Sequence, residues 1–476
     1  MNLGLSFATG AAALLAGCLP DYPTDMLRRS PTGGSAIDEG SASSSSSPPA
    51  VAAATIAPEF GATVSQADPP PPLSGGTMAV APDGKTIVAA DPDRDRVYVV
   101  DYHDASTLRT IALSLHDEPG RVVVDAANRA HVALRSGGAI VTIDLASNAI
   151  IARRDACSAP RGLAYDAVAD VVHVACAGGE LVTFPAAGGA EVRRRMLMRD
   201  LRDVIVVPGA IIVSTFRDAR TYRIADGADI AVERHRLESP TWGSPAVAWR
   251  MVALPTRSQP PTSSWDDIDD VLIAAQKVPA SGDDVSVPPP VPAAYYTDDG
   301  SSPVLPGTSA PPDPCAANGP GPVVLDRHLA LHLPDAPLPV DVAASPDWLA
   351  VVAAANGHTP SLPQLVFVNR YPIPPEDGDT LGCFPGASGV NLRGLQLTSV
   401  VFVDDVTVVA LSREPAALVV VGVTSGSELA RIALATDSRE DTGHAIFHSN
   451  SGVGVACASC HPDGRDDGHA WKSIEL

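Results

Sequence analysis

An all-β fold is predicted for this chain by two observations. Short β-branched runs recur throughout residues 75–437, and helical periodicity is almost absent from the same region. The clearest unit starts with a strand and turn at 78–84, continues with strands at 86–90 and 96–101, and closes with a strand at 107–113. Each unit of this part of the chain is therefore expected to be four antiparallel strands.

The unit repeats along the chain. Counterparts of its second strand occur at 131–134, 171–176, 211–214, 271–275, 349–353 and 407–411. Counterparts of its third strand occur at 139–144, 180–184, 220–224, 365–369 and 417–423. The first four units keep a period of about 40 residues, which is typical of β-propeller blades. Counting second strands predicts seven four-stranded blades; six blades, or eight with one hidden, remain alternatives.

The fifth unit is longer than the others. Residues 278–320 carry two proline clusters, at 288–290 and at 311–314, and we interpret them as an insertion that forms a surface loop. The blade turn Ala81-Pro82-Asp83-Gly84 and the third strand of the unit, Val97-Tyr98-Val99-Val100-Asp101, resemble the YVTN and lactonase-like propeller repeats, mostly over the first three units. That resemblance implies the fold, and propellers of this kind serve as enzymes, cofactor holders and binding platforms alike.

A C-x-x-C-H motif lies near the C-terminus, at Cys457-Ala458-Ser459-Cys460-His461. Positions i, i+3 and i+4 share one face of a helix, so both sulfurs can reach the vinyl groups of a haem while the imidazole ligates its iron. We therefore predict covalent haem c on Cys457 and Cys460, with His461 as an axial ligand, in a short C-terminal α-helical haem-binding segment. A zinc half-site, a redox cysteine pair and a non-functional remnant are the alternatives.

The residues around the motif extend the prediction. Gly443-His444-Ala445-Ile446-Phe447-His448, a Gly-rich loop and the haem motif together resemble the first haem segment of the di-haem cytochrome c peroxidase and MauG-like family. In that family a second haem domain follows and peroxidase activity depends on both haems. The match covers about 30 residues and ends with the chain. The segment 438–476 is thus expected to be a partial, truncated cytochrome segment.

The sixth ligand of the haem iron is not evident. No methionine follows Met251, and the nearby histidines are His444, His448 and His469. His469 is the best of the three, although a loop would have to fold across the haem. A five-coordinate haem, or one completed by another chain, is the alternative that the sequence favours.

The N-terminus predicts export. Residues 8–17 form an apolar stretch that is too short to cross a membrane and ends in Leu15-Ala16-Gly17-Cys18, which resembles a bacterial lipoprotein signal. Residues 1–18 would be that signal, with Cys18 lipidated, and residues 19–74 a disordered Ser- and Pro-rich tether to the propeller at 75–437. A periplasmic or cell-envelope location follows, with contact to the membrane only through the lipid.

Four cysteines remain once the haem and lipid cysteines are set aside. An even number in an exported protein suggests disulfides, and four cysteines allow three pairings. The pairing Cys157–Cys176 joins neighbouring blades after one chain reversal, and Cys315–Cys383 would be the second bond. Four buried thiols are the alternative.

The net charge of −22 and a pI near 4.8 argue against nucleic acid as a partner. An acidic surface suits a basic redox partner protein. The sequence therefore predicts an exported c-type haem protein for electron transfer on a propeller scaffold, whose propeller ligand is unknown. A propeller binding module with a haem-free cytochrome remnant, or a part of a di-haem peroxidase-like enzyme, are the alternatives.

Overall fold

The computed structural model describes residues 57–233, 244–256, 271–278, 322–325, 330–332, 336–370, 388–451 and 455–465. The chain divides into two units, residues 1–54 and 55–476. All the described residues lie in the second unit.

These residues form seven four-stranded antiparallel sheets. The first four sheets are β1 (Met78–Val80), β2 (Thr86–Asp91), β3 (Arg96–Asp101) and β4 (Asp104–Ala112); β5 (Pro119–Val124), β6 (Arg129–Leu134), β7 (Ala139–Asp144) and β8 (Ala149–Asp155); β9 (Pro160–Asp166), β10 (Val171–Cys176), β11 (Glu180–Pro185) and β12 (Arg193–Met196); and β13 (Leu201–Val207), β14 (Ala210–Thr215), β15 (Thr221–Ala225) and β16 (Val232–Glu233). The other three are β17 (Ser244–Ala253), β18 (Val271–Val278), β19 (Pro322–Leu325) and β20 (Ala330–His332); β21 (Pro339–Ala344), β22 (Trp348–Ala353), β23 (Leu365–Asn369) and β24 (Ser388–Val390); and β25 (Leu397–Asp404), β26 (Thr407–Arg413), β27 (Ala416–Gly422) and β28 (Ser427–Ala433).

The first strands of the sheets close a ring. β1 contacts β5, and the contacts continue through β9, β13, β17 and β21 to β25, which contacts β1 again. Apolar clusters fill the space between neighbouring sheets; one of them joins Ile87 and Tyr98 of the first sheet to Leu411 and Leu418 of the last. This is a β-propeller, so the predicted all-β propeller is confirmed.

Burial explains why the middle strands are nearly continuous apolar runs. β2 and β6 each bury five of their six residues, because each sheet is covered on both faces by its neighbours. The outer strand β4 is mostly exposed, so its sequence is polar. The turn between β1 and β2 is held by Asp83, whose Oδ1 accepts from the backbone N–H groups of Lys85 and Thr86 at 3.0 and 2.8 Å.

Residues 57–74 are the last part of the segment that was predicted to be a tether. The composition of this stretch is that of a disordered segment, yet its backbone groups are paired with distant residues. Val64 and Thr442 exchange hydrogen bonds of 2.9 and 2.8 Å, and the N–H of Gln66 donates to Asp441 at 3.0 Å. The reason is that partners elsewhere in the fold, rather than a core of its own, order the segment. Residues 57–76 are called the strap below.

The strap ends in the centre of the ring at Gly75 and Gly76. A Cβ on Gly75 would lie 1.9 Å from the backbone oxygen of Val340. A Cβ on Gly76, whose φ is +68°, would lie 1.4 Å from Nη1 of Arg121. Only glycine allows the backbone to approach the inner strands this closely.

Two short helices follow the last sheet, α1 (Thr442–His448) and α2 (Cys457–Cys460), and they contact each other. The described residues include two 3₁₀ turns, at Ala354–Asn356 and Pro462–Gly464. None of the helices in the described ranges is long and apolar enough to cross a membrane.

A disulfide joins Cys157, just after β8, to Cys176 at the end of β10. It is the pairing that the sequence analysis favoured. Cys315, Cys383 and the insertion at 278–320 lie outside the described residues, apart from the backbone of Val278 at the end of β18.

Candidate functional site

The two cysteines of the C-x-x-C-H motif occupy the first and last positions of α2. The N–H of His461 donates to the carbonyl of Cys457 at 2.9 Å, which continues the helical turn through the histidine. Cys457, Cys460 and His461 are all partly exposed, whereas Ala458 and Ser459 are 2% and 1% exposed. One side of the turn therefore faces the protein, and the three ligand-type side chains remain accessible.

Small residues allow the turn to sit on the propeller. Ala456 and Ala458 belong to the apolar cluster that also contains Leu73, Phe216 and Trp249. The hydroxyl of Ser459 accepts from the N–H of Ala456 at 3.1 Å, which satisfies a backbone donor at the start of the helix. Larger side chains at these positions would separate the motif from the ring.

The imidazole of His461 is oriented by a backbone acceptor. Its Nδ1 lies 3.1 Å from the carbonyl oxygen of Arg465, and because a carbonyl only accepts, Nδ1 carries the proton. Nε2 is then the nitrogen with a lone pair. This is the tautomer in which a histidine ligates a metal through Nε2 while a second group holds the ring.

Helix α1 connects the motif to the strap through two buried histidines. Asp441 caps the helix by accepting from the N–H of His444 at 2.8 Å. His444 Nε2 donates to the carbonyl of Pro71 at 3.1 Å. His448 Nδ1 donates to the carbonyl of His444 at 2.9 Å, and its Nε2 accepts from the N–H of Leu73 at 3.2 Å.

Both histidines are consequently neutral. Burial lowers the pKa of His448 to about 3. Burial, aided by the neighbouring His448, also holds the pKa of His444 well below its ordinary range. Neither ring nitrogen of His448 is available to a haem iron, since both are hydrogen-bonded to the backbone.

An arginine cluster lies beneath the motif, formed by Arg135, Arg161, Arg202 and Arg217. Arg161 donates to Asp463 at 2.6 Å and to Asp200 at 2.7 Å, and Arg217 donates to Asp200 at 2.8 Å. Burial raises the pKa of Asp463, but the four arginines outweigh it and hold that pKa below its ordinary value. Asp463, two residues beyond His461, thus fixes the motif to the propeller.

Aromatic rings and neutral oxygens hold Arg202 in place. Its guanidinium lies 4.2 Å from the ring centre of Phe216 and 5.6 Å from that of Trp249. Nε donates to the carbonyl of Trp249 at 3.1 Å, and Nη2 donates to the hydroxyl of Ser74 at 3.2 Å. Burial lowers the pKa of Arg202 to about 9, against the attraction of Asp463.

The remaining sites predicted from the sequence lie outside the described residues. They are Cys18, His469, Cys315 and Cys383. Within the described ranges, no group of three or more His, Cys, Asp or Glu side chains is placed to hold a metal ion.

The arginine cluster and Asp463 were missed by the sequence analysis. Two of its arginines, Arg161 and Arg202, stand on the first strands β9 and β13, as Arg121 does on β5. The available signal was an arginine near the start of the first strand in three successive repeats. First strands line the centre of the ring, so a charge that recurs there indicates a polar axis.

Comparison with known proteins extends no further than the fold. No protein-family model matches the chain, and no curated protein sequence matches it. Among solved structures, the chain is similar to hydrazine synthase of Kuenenia stuttgartiensis, with a TM-score of 0.51 and 14% identity over 80% of this chain and 100% of that one. Virginiamycin B lyase of Staphylococcus aureus gives a TM-score of 0.45 and 9% identity over 74% and 95% of the two chains. The similarity to hydrazine synthase supports the propeller fold.

Proposed function

We propose that this chain is an exported c-type haem protein that transfers electrons, with haem attached to Cys457 and Cys460 and ligated by His461 on a propeller scaffold. We further infer that each of the seven sheets is one blade. The observation that carries the function is the α2 turn, which places two cysteine side chains and an imidazole, all partly exposed, on one helical turn, with Nδ1 of the imidazole held by the carbonyl of Arg465.

The residues present fit a covalently bound haem. Two cysteines three positions apart on a helix suit two thioether bonds, and the histidine that follows is oriented by the carbonyl of Arg465. When bound, haem c supplies one-electron transfer between its ferric and ferrous states. The chain would bind the haem through Cys457 and Cys460, fix the imidazole tautomer of His461, and hold the turn on the propeller through Asp463.

Other ligands and partners complete the proposal. The proposed haem is five-coordinate or is completed by another chain. Within this chain His469 is the best candidate for a sixth ligand, because both nitrogens of His448 are already hydrogen-bonded and Nε2 of His444 donates to Pro71. The net charge of −22 favours a basic electron-transfer partner protein. The Cys315–Cys383 disulfide completes the proposed cysteine pairing.

Covalent attachment is tested by haem staining. After expression with a c-type maturation system, the wild-type chain should stain for haem on a denaturing gel, because thioether bonds survive denaturation. The Cys457→Ala, Cys460→Ala double variant should lose the stain completely. The pair Cys457 and Cys460 is the only one in the sequence with C-x-x-C-H spacing, so no other cysteines can replace it.

The matched control is Ser459→Ala, which changes the same turn but removes no thiol. It should still stain, with lower stability because the N–H of Ala456 loses its acceptor. A wild-type chain that is exported, intact and colourless would overturn the haem assignment.

Lipid anchoring at Cys18 is proposed together with a periplasmic or cell-envelope location. Labelled palmitate should be incorporated into the wild-type protein and not into Cys18→Ser, which should leave the membrane fraction or remain unprocessed. Equal membrane partitioning of both proteins would remove the anchor from the proposal.

A further inference from the structure

Two guanidinium groups of the arginine cluster, those of Arg202 and Arg135, have N–H donors that are not paired with a carboxylate among the described residues. Arg202 is 1% exposed, and its two hydrogen bonds to described residues go to the neutral oxygens of Trp249 and Ser74. The side chain of Arg135 is 10% exposed; its Nη2 lies 3.5 Å from a carboxylate oxygen of Glu118, but its Nη1 is buried with no hydrogen-bond partner in the described structure. Buried guanidinium groups are costly unless an anion pairs with them.

The geometry of the cluster suits a carboxylate. Asp463 already shows that a carboxylate is accepted here, since its Oδ2 lies 2.6 Å from Nη2 of Arg161. Arg135 reaches the same place from the end of the second sheet: its Nη2 donates to the carbonyl of Pro72 at 3.2 Å, and Pro72 lies beside Gly464, where a Cβ would be 3.4 Å from its Cγ. The planar, multidentate guanidinium is the side chain best suited to carboxylate recognition.

Location decides which carboxylate could reach the cluster. Asp463 is two residues beyond His461, so the cluster lies directly beside the turn that carries the ligand. The strap residues Pro72 and Ser74 accept hydrogen bonds from Arg135 and Arg202, and these two arginines are only 10% and 1% exposed. A carboxylate tethered to the motif is therefore better placed than one diffusing from solvent.

We propose that Arg135, Arg161 and Arg202 bind a propionate of the haem attached to Cys457 and Cys460, so that the propeller supplies part of the haem site. This inference rests on the proposed function. It makes the propeller more than a carrier, because three of its side chains would set the electrostatic environment of the haem.

The test is resonance Raman spectroscopy of the haem-loaded full chain, read at the propionate bending band. Arg135→Gln should shift this band to lower frequency, because a hydrogen bond to the propionate is lost, and should lower the midpoint potential, because a buried positive charge is removed. Arg135→Lys should restore much of the potential. Arg431→Gln is the charge-matched control, since Arg431 lies on the exposed outer strand β28 and pairs with Glu428 at 2.6 Å; it should change neither reading.

The outcomes separate the two proposals. One outcome is that every variant stains for haem and that Arg135→Gln and Arg202→Gln, shown by circular dichroism to be folded, leave the propionate band unchanged. That result overturns the propionate site, and the haem assignment stands. If a free carboxylate is the occupant, sodium acetate will stabilise the haem-loaded wild type and not Arg135→Gln, with the band unchanged in both; that result also overturns it. Absence of the stain from the wild type overturns the proposed function itself.

Discussion

Asp203→Ala should reduce the free energy of unfolding by about 3–5 kcal/mol, the cost typical of removing one partner from a buried ion pair. Asp203 is fully buried in β13, and its Oδ2 lies 3.1 Å from Nη2 of Arg121 and 3.0 Å from Nη1 of Arg250. The same oxygen accepts from the N–H of Met251 at 2.8 Å. The substitution leaves two guanidiniums, of which that of Arg121 is 1% exposed and that of Arg250 20% exposed, and one backbone donor without this partner.

The network reaches further around the ring than one ion pair. Arg250 also lies 3.3 Å from Asp341, which accepts from the hydroxyl of Ser399 at 2.5 Å. Five first strands, β5, β13, β17, β21 and β25, are thereby joined at the axis. Burial raises the pKa of Asp203, but Arg121 and Arg250 more than offset this and lower it, so the carboxylate is charged.

Urea denaturation followed by circular dichroism measures the effect of Asp203→Ala. Asp229→Ala is the control, because Asp229 also pairs with an arginine, Arg193, but is 81% exposed. Exposed pairs are typically worth about 0.2–1 kcal/mol, so the control should remain within that range. Equal losses for the two variants would show that the axial network does not hold the ring together.

The strands were predictable because their pattern is local. β7, β10 and β23 begin and end at the predicted residues, since each is an apolar run between polar turns. The order of the strap was not predictable. Its hydrogen bonds with α1 connect residues more than 370 positions apart, and no local pattern reports such partners.

The candidate site divides in the same way. Cys457, Cys460 and His461 are found from their spacing alone, because one helical turn brings them together. The orienting contact from Arg465 and the anchoring of Asp463 by Arg161 depend on where the segment lies on the propeller. The histidines of α1 could be listed from the sequence as iron ligands, but only the fold shows that they pair with the strap instead.

Those two histidines make the attachment of α1 to the strap sensitive to acid. His444 and His448 are both buried and neutral, with their rings 4.1 Å apart, and each bonds to the strap through Nε2. A proton on Nε2 of His448 would replace the acceptor of the Leu73 N–H with a donor. It would also place a charge in a site that excludes water.

The sign of the pH effect follows from the direction of the shift. Released histidines take up a proton near 6.5, whereas folded His448 does so only near 3, so stability is complete above pH 6.5 and falls as the pH drops below it. Each histidine contributes at most about 1.4 kcal/mol per pH unit, or up to about 4 kcal/mol for the pair at pH 5. Burial raises the pKa of Asp441, the cap of α1, but hydrogen bonds from backbone N–H groups outweigh it and lower the pKa below its ordinary value of 3.8. Asp441 therefore stays charged at pH 5.

Hydrogen exchange of the peptide 442–451, corrected for the intrinsic effect of pH, should therefore show a loss of protection of up to about a thousandfold between pH 7 and pH 5. The peptide of β22 (Trp348–Ala353), which contains no titratable side chain, serves as the internal control and should keep its protection. His444→Gln, His448→Gln removes both titrating rings while each glutamine keeps a donor and an acceptor. Protection in this double variant should hardly change with pH, and a loss as large as that of the wild type would mean that groups other than these histidines release the segment.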